Sequence, residues 1–353
     1  MSTENETRQM FVETAAKLFS EQATREVING FEKGEWPADL WRQVEEAGLP
    51  WAAVPDTMGG AGGDLGDLMA VLREAGRNAV PLPMAETGLG ALFAAEAGLT
   101  PPPGPIALVI ADAKAPVRIA GGKVTGKVSR VAFASVCDHF VVVAPGESGP
   151  AVAVVPRAAA KIAAQQGQTG EPYDDVAFEG AAAGATAAAK TTPERAFELA
   201  ALARVSQMTG AADRVLSIAT QYSKERVQFG RSISTFQAIQ HMLAELATYV
   251  AAVAAAAQAA ARDAEEGHGT FAIMAAKTQA GEAAHKICAI AHQSMGAMGY
   301  TYEHILHQYT RRLWVWRRDY GSETYWGARL GRALAEAGPD AFWPSLTASR
   351  IAA

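Results

Sequence analysis

The chain has 353 residues, 49% of them hydrophobic and 19% charged, with a formal net charge of −6. That length exceeds a single small core and predicts two or three domains with an ordinary buried interior. No basic stripe runs through it, which argues against a nucleic-acid partner. Cys137 and Cys288 lie far apart with no CxxC, which argues against a disulfide framework or zinc site and fits a reducing compartment.

The opening stretch MSTENETRQMF is polar and charged, unlike a secretory signal, so the expected location is cytoplasmic. From Thr7 to about Leu99 the pattern is mainly helical, broken at GEWPADL, VPDTMGGAGGD and AVPLP, where glycine and proline supply turns. The cluster GGAGGD, Gly59–Asp64, lies between helical segments rather than after a strand, so it reads as a loop and not as a phosphate cradle. From Pro101 to about Ala189 the texture becomes β-like: IALVIA, KVTGKVS, DHFVVVA, AVAVVP and YDDVAFEG, separated by turn signals. Short strands at this spacing predict a small antiparallel barrel or sandwich. The run GAAAGATAAAKTTP leads out of it and reads as a linker.

Helices return at Pro193, with Thr192 as N-cap and the proline at the first helical position. Amphipathic runs extend to about Val227, then over Phe236–Glu266, Phe271–Met298 and Glu323–Ala337, which together predict a four-helix bundle. The most apolar window, Met242–Ala261, is mostly alanine and holds Glu245 and Gln258, so it reads as a packed bundle helix rather than a membrane span. The fold class is α+β: an N-terminal helical domain (1–100), a middle β domain (101–190) and a C-terminal helical bundle (191–353). There is no βαβ alternation, no GxGxxG and no P-loop.

Two segments of the last zone are unusual for bundle helices. In YSKERVQFGRSISTFQAIQHMLAELA, Arg226, Gln228, Phe229 and Gly230 end one helix, and Phe236, Gln237 and Gln240 begin the next. A cation, an aromatic ring and amides at a helix–helix corner suit a pyrophosphate with a flat ring; a C-cap glycine beside a solvated arginine is the competing reading. In HQSMGAMGYTYEHILHQYTRRLW, Gln293, Gly296 and Gly299 allow close backbone approach, against the alternative of a glycine-weakened helix end. The histidine pairs His285/His292 and His304/His307 have helical spacing but no evident third ligand, so no metal is expected. Trp314, Trp316 and Trp326 read as packing residues.

Taken together these segments resemble the acyl-CoA dehydrogenase family. Its R-x-Q/T-F-G corner and F-Q-x-I-Q helix start are matched by Arg226–Gly230 and Phe236–Gln240, and its Q-x-x-G-G-x-G-[YF] turn by Gln293–Tyr300. WRQVEEAGLPWAAVPDTMGGAGGDLGDLMAVLREAGR and GGKVTGKVSRVAFASVCDHFVVVA resemble the family's N-terminal and middle segments. The resemblance implies FAD, an acyl-CoA thioester substrate and electron-transferring flavoprotein as acceptor. It implies removal of two hydrogens, with a carboxylate taking the α proton and the flavin the β hydride. In the family FAD crosses a subunit interface. Carried over, its adenosine–pyrophosphate end falls to Arg226, Gln228, Phe229, Gln237, Gln293, Gly296 and Ala297, where Ala297 stands in place of the second glycine.

The chain departs from the family where the chemistry occurs. The family's base is the Glu of a Y-E-G-T turn, and the spacing from Gln293 through Arg311 to Gly321 puts Tyr320 there. A phenol, with a pKa of about 10, is a poor base at neutral pH. The alternative base position, on the first bundle helix, is Ala200. Glu323, Asp319 and Glu198 lie nearby as weak substitutes. The flavin-ring strand T-E-P-x-x-G-S-D is missing, and Val131-Ala132-Phe133 stands where a ring-stacking Trp would be. The expectation is a non-catalytic subunit of a heteromeric acyl-CoA dehydrogenase, acting on a bulky thioester such as a steroid side chain. A second acyl-CoA dehydrogenase-like chain would then supply the base. The alternatives are a homo-oligomer with a displaced carboxylate and a non-enzymatic scaffold.

Overall fold

The computed structural model describes residues 3–112 and 116–348; residues 1–2 of the polar opening stretch and 349–353 of the third predicted domain lie outside the described residues. Residue contacts divide the chain into two compact units, Met1–Val71 with Val80–Ala200, and Leu72–Ala79 with Ala201–Ala353.

The first unit begins with α1 (Thr3–Gln22), α2 (Arg25–Glu32), α3 (Ala38–Glu46), the start of α4 (Leu65–Arg77) and α5 (Met84–Glu96). Thr24 caps α2, its side-chain oxygen accepting from the Val27 N–H at 3.4 Å. α5 is buried almost throughout and packs on the strands that follow. Strands β1 (Ile106–Ile110), β2 (Arg118–Ala120), β3 (Lys123–Ala132), β4 (His139–Pro145), β5 (Pro150–Pro156), β6 (Lys161–Ala163), β7 (Tyr173–Ala182) and β8 (Ala185–Ala188) form two four-stranded sheets, ordered β1-β4-β5-β8 and β2-β3-β7-β6.

Two expectations are corrected here. The sheets are not wholly antiparallel, since β1 runs parallel to β4 with Ile106 opposite His139. The supposed linker supplies β8, whose Ala185–Ala188 pair with Val154–Ala151. Alanine and glycine carry almost no strand preference, so this pairing comes from the open hydrogen-bonding edge of β5.

The second unit holds most of α6 (Pro193–Glu225), then β9 (Val227–Gln228), β10 (Arg231–Ser232), α7 (Gln237–Glu265), α8 (Thr270–Met295), α9 (Leu306–Trp316), α10 (Glu323–Ala337) and α11 (Pro339–Ala348). Thr192 caps α6 as expected, accepting from the Arg195 N–H at 3.2 Å. α9 was hidden in the sequence because it buries polar side chains, among them His307, Gln308 and Arg312. α7 is long and apolar enough to cross a membrane by length and composition, with a mean hydropathy of 1.4 in its best window. It packs along α8, burying Leu246, Val250, Val253, Ala257, Ala260 and Ala264 at helical spacing. Only 22% of that window is buried within this chain, so the remaining alanine face is open.

Within this unit α4 and α6 touch at their backbones. A Cβ on Gly76 would lie 2.0 Å from the Gln207 carbonyl oxygen, and one on Gly210 1.8 Å from that of Arg73. Arg73 and Asp213 flank the crossing with an ion pair at 2.5 Å. Backbone cannot yield as a side chain can. Gly210→Ala is therefore expected to lower stability by about 3 kcal/mol or more. Gly331→Ala, in open space on α10, should instead raise it by about 0.5–1 kcal/mol. Urea unfolding of the two variants checks the contrast.

Candidate functional site

α7 and α8 are antiparallel neighbours joined by the short stretch 266–269, so the start of α7 and the end of α8 lie at one end of the bundle. The segment leaving α6 reaches the same end and turns there. The sequence suggested a helix–helix corner, with a C-cap glycine as the competing reading; the structure forms a strand hairpin instead. β9 and β10 pair as a hairpin, Gln228 opposite Arg231, with Phe229 (φ +53°) and Gly230 (φ +78°) both left-handed in a two-residue loop. Phenylalanine rarely adopts that backbone, and here it holds a ring that is 91% exposed. Phe236 meets that ring edge-on at 6.1 Å, and the Arg231 guanidinium lies 4.3 Å over Phe236.

Arg226, Gln228 and Gln237 are exposed beside the hairpin. α8 ends at Met295, and Gly296 (φ +61°) turns the chain into the 3-10 turn Gly296–Tyr300, leaving Gln293, Gly296 and Ala297 exposed. A ring contact between Tyr222 of α6 and His304, at 6.2 Å, ties the two segments together. The fold thus brings the seven residues singled out for a cofactor to one end of the bundle. Nothing lies within 4 Å of where a Cβ would stand on Gly230 or Gly296. One guanidinium, three amides, an exposed ring and two open backbone turns fit a diphosphate carrying a flat base.

The turn after α9 is the opposite kind of place. Tyr320 (φ +51°) and Gly321 (φ +90°) form its corner. Asp319 pairs with Arg204 of α6 at 3.1 Å, with 8% and 2% of the two side chains exposed. Glu323 pairs with Arg317. Burial raises the Glu323 carboxyl, but the Arg317 hydrogen bond, its own backbone N–H and the Arg317 and Lys277 charges outweigh that and hold it below the usual range. Glu198 pairs with Arg195 at 3.1 Å, and Ala200 is fully buried. Each substitute carboxylate is thus paired with a guanidinium. Lys277, buried on α8, donates to the carbonyls of Trp316 (3.3 Å), Arg317 (2.9 Å) and Gly321 (2.9 Å). Its sequence neighbours gave no sign of this role, which only the end of α9 creates. Burial pushes its ammonium down to about 7, helped by Arg204 and Arg317 and opposed by Asp319 and Glu323. Trp326 closes the turn, its indole N–H donating to the Tyr320 carbonyl at 2.8 Å.

In the first unit Val131, Ala132 and Phe133 are buried. Phe133 packs on Phe31 at 6.0 Å, and the buried Asp174 accepts from the Ser135 and Gln165 N–H groups at 2.6 and 2.9 Å. These residues present no open aromatic face of the first unit. Among the described residues no cluster of three or more His, Cys, Asp or Glu forms. His292 bonds Thr310 at 3.1 Å, and His304 accepts from the Leu306 N–H.

Two family models match the chain: the acyl-CoA dehydrogenase N-terminal domain over residues 5–98 and the C-terminal domain over 191–327. The acyl-CoA dehydrogenase IpdE2 of Mycolicibacterium smegmatis is 29% identical over 87% of this chain and 92% of its own length. The acyl-CoA dehydrogenase FadE34 of Mycobacterium tuberculosis is 31% identical over 90% of this chain but 45% of its own. Among solved structures, a variant of the Tcur3481-Tcur3483 steroid ACAD is similar with a TM-score of 0.85 at 25% identity, over 95% of this chain and 99% of that one. The ChsE4-ChsE5 complex from Mycobacterium tuberculosis has a TM-score of 0.84 at 25% identity, over 95% and 98%.

Asp319→Asn leaves a buried guanidinium uncompensated and should cost about 3 kcal/mol in urea unfolding. Lys277 adds a pH dependence. Its folded value of about 7 lies below the ordinary 10.5, so between them the unfolded chain binds the extra proton and stability rises with pH. The penalty for burying the ammonium is complete below about pH 7 and relieved as pH climbs toward 10.5. Lys277→Met should flatten that rise when unfolding midpoints are compared at neutral and alkaline pH.

Proposed function

This chain belongs to the acyl-CoA dehydrogenase family, and from that membership we propose that it is the cofactor-supporting subunit of a heteromeric acyl-CoA dehydrogenase. It holds the adenosine–pyrophosphate end of FAD, while a partner chain of the same fold supplies the ring site and the base. The carrying observation is the contrast between an open bundle end rich in phosphate-type donors and a turn after α9 whose carboxylates, Asp319 and Glu323, are both ion-paired.

Bound FAD supplies the hydride acceptor for α,β-dehydrogenation of an acyl-CoA. This chain's own part is to bind and orient. Arg226 neutralises diphosphate charge, Gln228, Gln237 and Gln293 hydrogen-bond to the phosphates and sugar, and Phe229 offers a flat surface to the base. The turn at Gly296 brings backbone close, and the Ala297 methyl narrows that approach. A partner of like fold is supported by the ChsE4-ChsE5 complex and by FadE34, in which the part similar to this chain is less than half of one polypeptide. A bulky steroid-type thioester is supported by the steroid ACAD neighbour. Electron-transferring flavoprotein as acceptor and a cytoplasmic setting complete the reading.

The test is flavin absorbance per chain, for the protein alone and after co-expression with an adjacent acyl-CoA dehydrogenase-like gene product. A colourless lone chain and a yellow pair with about one flavin per two chains are expected. A fully yellow lone chain that bleaches with an acyl-CoA overturns the proposal. In the pair, Arg226→Ala removes a charge-assisted contact and should weaken FAD binding about tenfold or more, read by flavin release on dilution.

A further inference from the structure

The loop of the β9–β10 hairpin carries its ring at a double cost. The backbone at Phe229 is left-handed, and the ring it bears is 91% exposed. A loop with both residues left-handed ordinarily takes Asn, Asp or Gly first, so nothing in the hairpin itself calls for a phenylalanine. The ring is nonetheless braced. Phe236 meets it edge-on, with centroids 6.1 Å apart and planes 85° from parallel. The face of Phe236 is in turn covered by the Arg231 guanidinium, 4.3 Å from its centroid.

Each layer of this stack is anchored through backbone. Arg231 stands opposite Gln228 across the hairpin, and directly opposed residues of an antiparallel pair send their side chains to one face. The next residue, Ser232, donates its hydroxyl to the Ser223 carbonyl of α6 at 2.8 Å, and the Ile233 N–H donates to the Arg226 carbonyl at 2.9 Å. Phe236 immediately precedes α7. Its N–H donates to the Ile233 carbonyl and its carbonyl accepts from the Gln240 N–H, both at 3.1 Å. Cation, inner ring and outer ring are therefore tied to α6, to the hairpin and to α7. A guanidinium seated on a ring face is not a freely solvated charge. A ring held in advance loses little entropy when a flat ligand covers it.

We propose that Arg231 is a positioning residue for the cofactor: through Phe236 it fixes the Phe229 ring as the platform on which the adenine of FAD stacks. This rests on the cofactor-supporting reading above and adds Arg231 and Phe236 to the residues that hold the adenosine end. Arg231 acts on the ring and not on the diphosphate. Its guanidinium is seated on Phe236, which leaves the phosphate charge to Arg226. A consequence is that the charge of Arg231 matters to binding only while the Phe229 ring is present.

The experiment is a double-mutant cycle on FAD affinity, read by flavin fluorescence as FAD is added to the flavin-stripped pair of full-length chains. Arg231→Met, which keeps the stem and removes the charge, should weaken FAD binding about threefold. Phe236→Leu should weaken it at least as much, while Phe236→Tyr, which keeps the ring, restores native affinity. Phe229→Ala should weaken it about tenfold, and adding Arg231→Met to that variant should change nothing further. Unfolding midpoints equal to the native chain's separate these effects from misfolding. An affinity that Arg231→Met leaves unaltered overturns the proposal. So does a loss that persists in full in the Phe229→Ala background, which would make Arg231 a direct contact to the diphosphate. If the native pair takes up no FAD, the cofactor-supporting reading itself fails, and the brace with it.

Discussion

Arg204 is on α6 with 2% of its side chain exposed, and a guanidinium cannot shed its proton to escape burial. The fold must therefore deliver an anion and further acceptors to it. Asp319 arrives from the turn after α9, and the Gln207 side-chain oxygen accepts at 2.6 Å from one helical turn further along α6. Trp316 and Tyr320 place their rings 6.0 and 5.7 Å from the cation. Lys277 then satisfies the carbonyls that the end of α9 leaves open, and Glu323 compensates Arg317. The carboxylates and cations around this turn form a closed set of ion pairs.

The bundle end has the reverse economy of charge. Its arginine and amides face solvent, its aromatic rings are uncovered, and its backbone turns twice through left-handed conformations. Phe229 and Tyr320 share one local device, an aromatic residue in the left-handed region followed by a glycine. In the hairpin the device projects a ring outward. In the turn it folds the ring under Arg204. Surroundings, not local sequence, decide between an exposed ring and a structural corner.

The α-β-α order, the long helices α6, α7, α8 and α10 and the cap at Thr192 were all legible, because periodicity and capping are local properties of the chain. α9, β8 and the β9–β10 hairpin were not. α9 buries a run of polar groups that its neighbours satisfy, β8 is alanine held by the edge of another strand, and the hairpin follows a helix with a single residue between. For α9 and β8 the stabilising partner is supplied by another part of the chain, so no window of sequence contains it; the hairpin pairs with itself, but its loop is Phe229-Gly230 rather than the Asn-Gly or Asp-Gly that marks such a turn.

Motif order identified the family and singled out the residues that the fold gathers at one end of the bundle. The resemblance to the family put Tyr320 and Ala200 at its expected base positions. Only tertiary structure decided the fate of Asp319, since its partner Arg204 lies 115 residues away, whereas Glu198 and Glu323 pair with arginines three and six residues distant. It alone also gathered the hairpin and the α8 turn at one end, because the contact that ties them, Tyr222 to His304, joins positions that lie far apart along the chain.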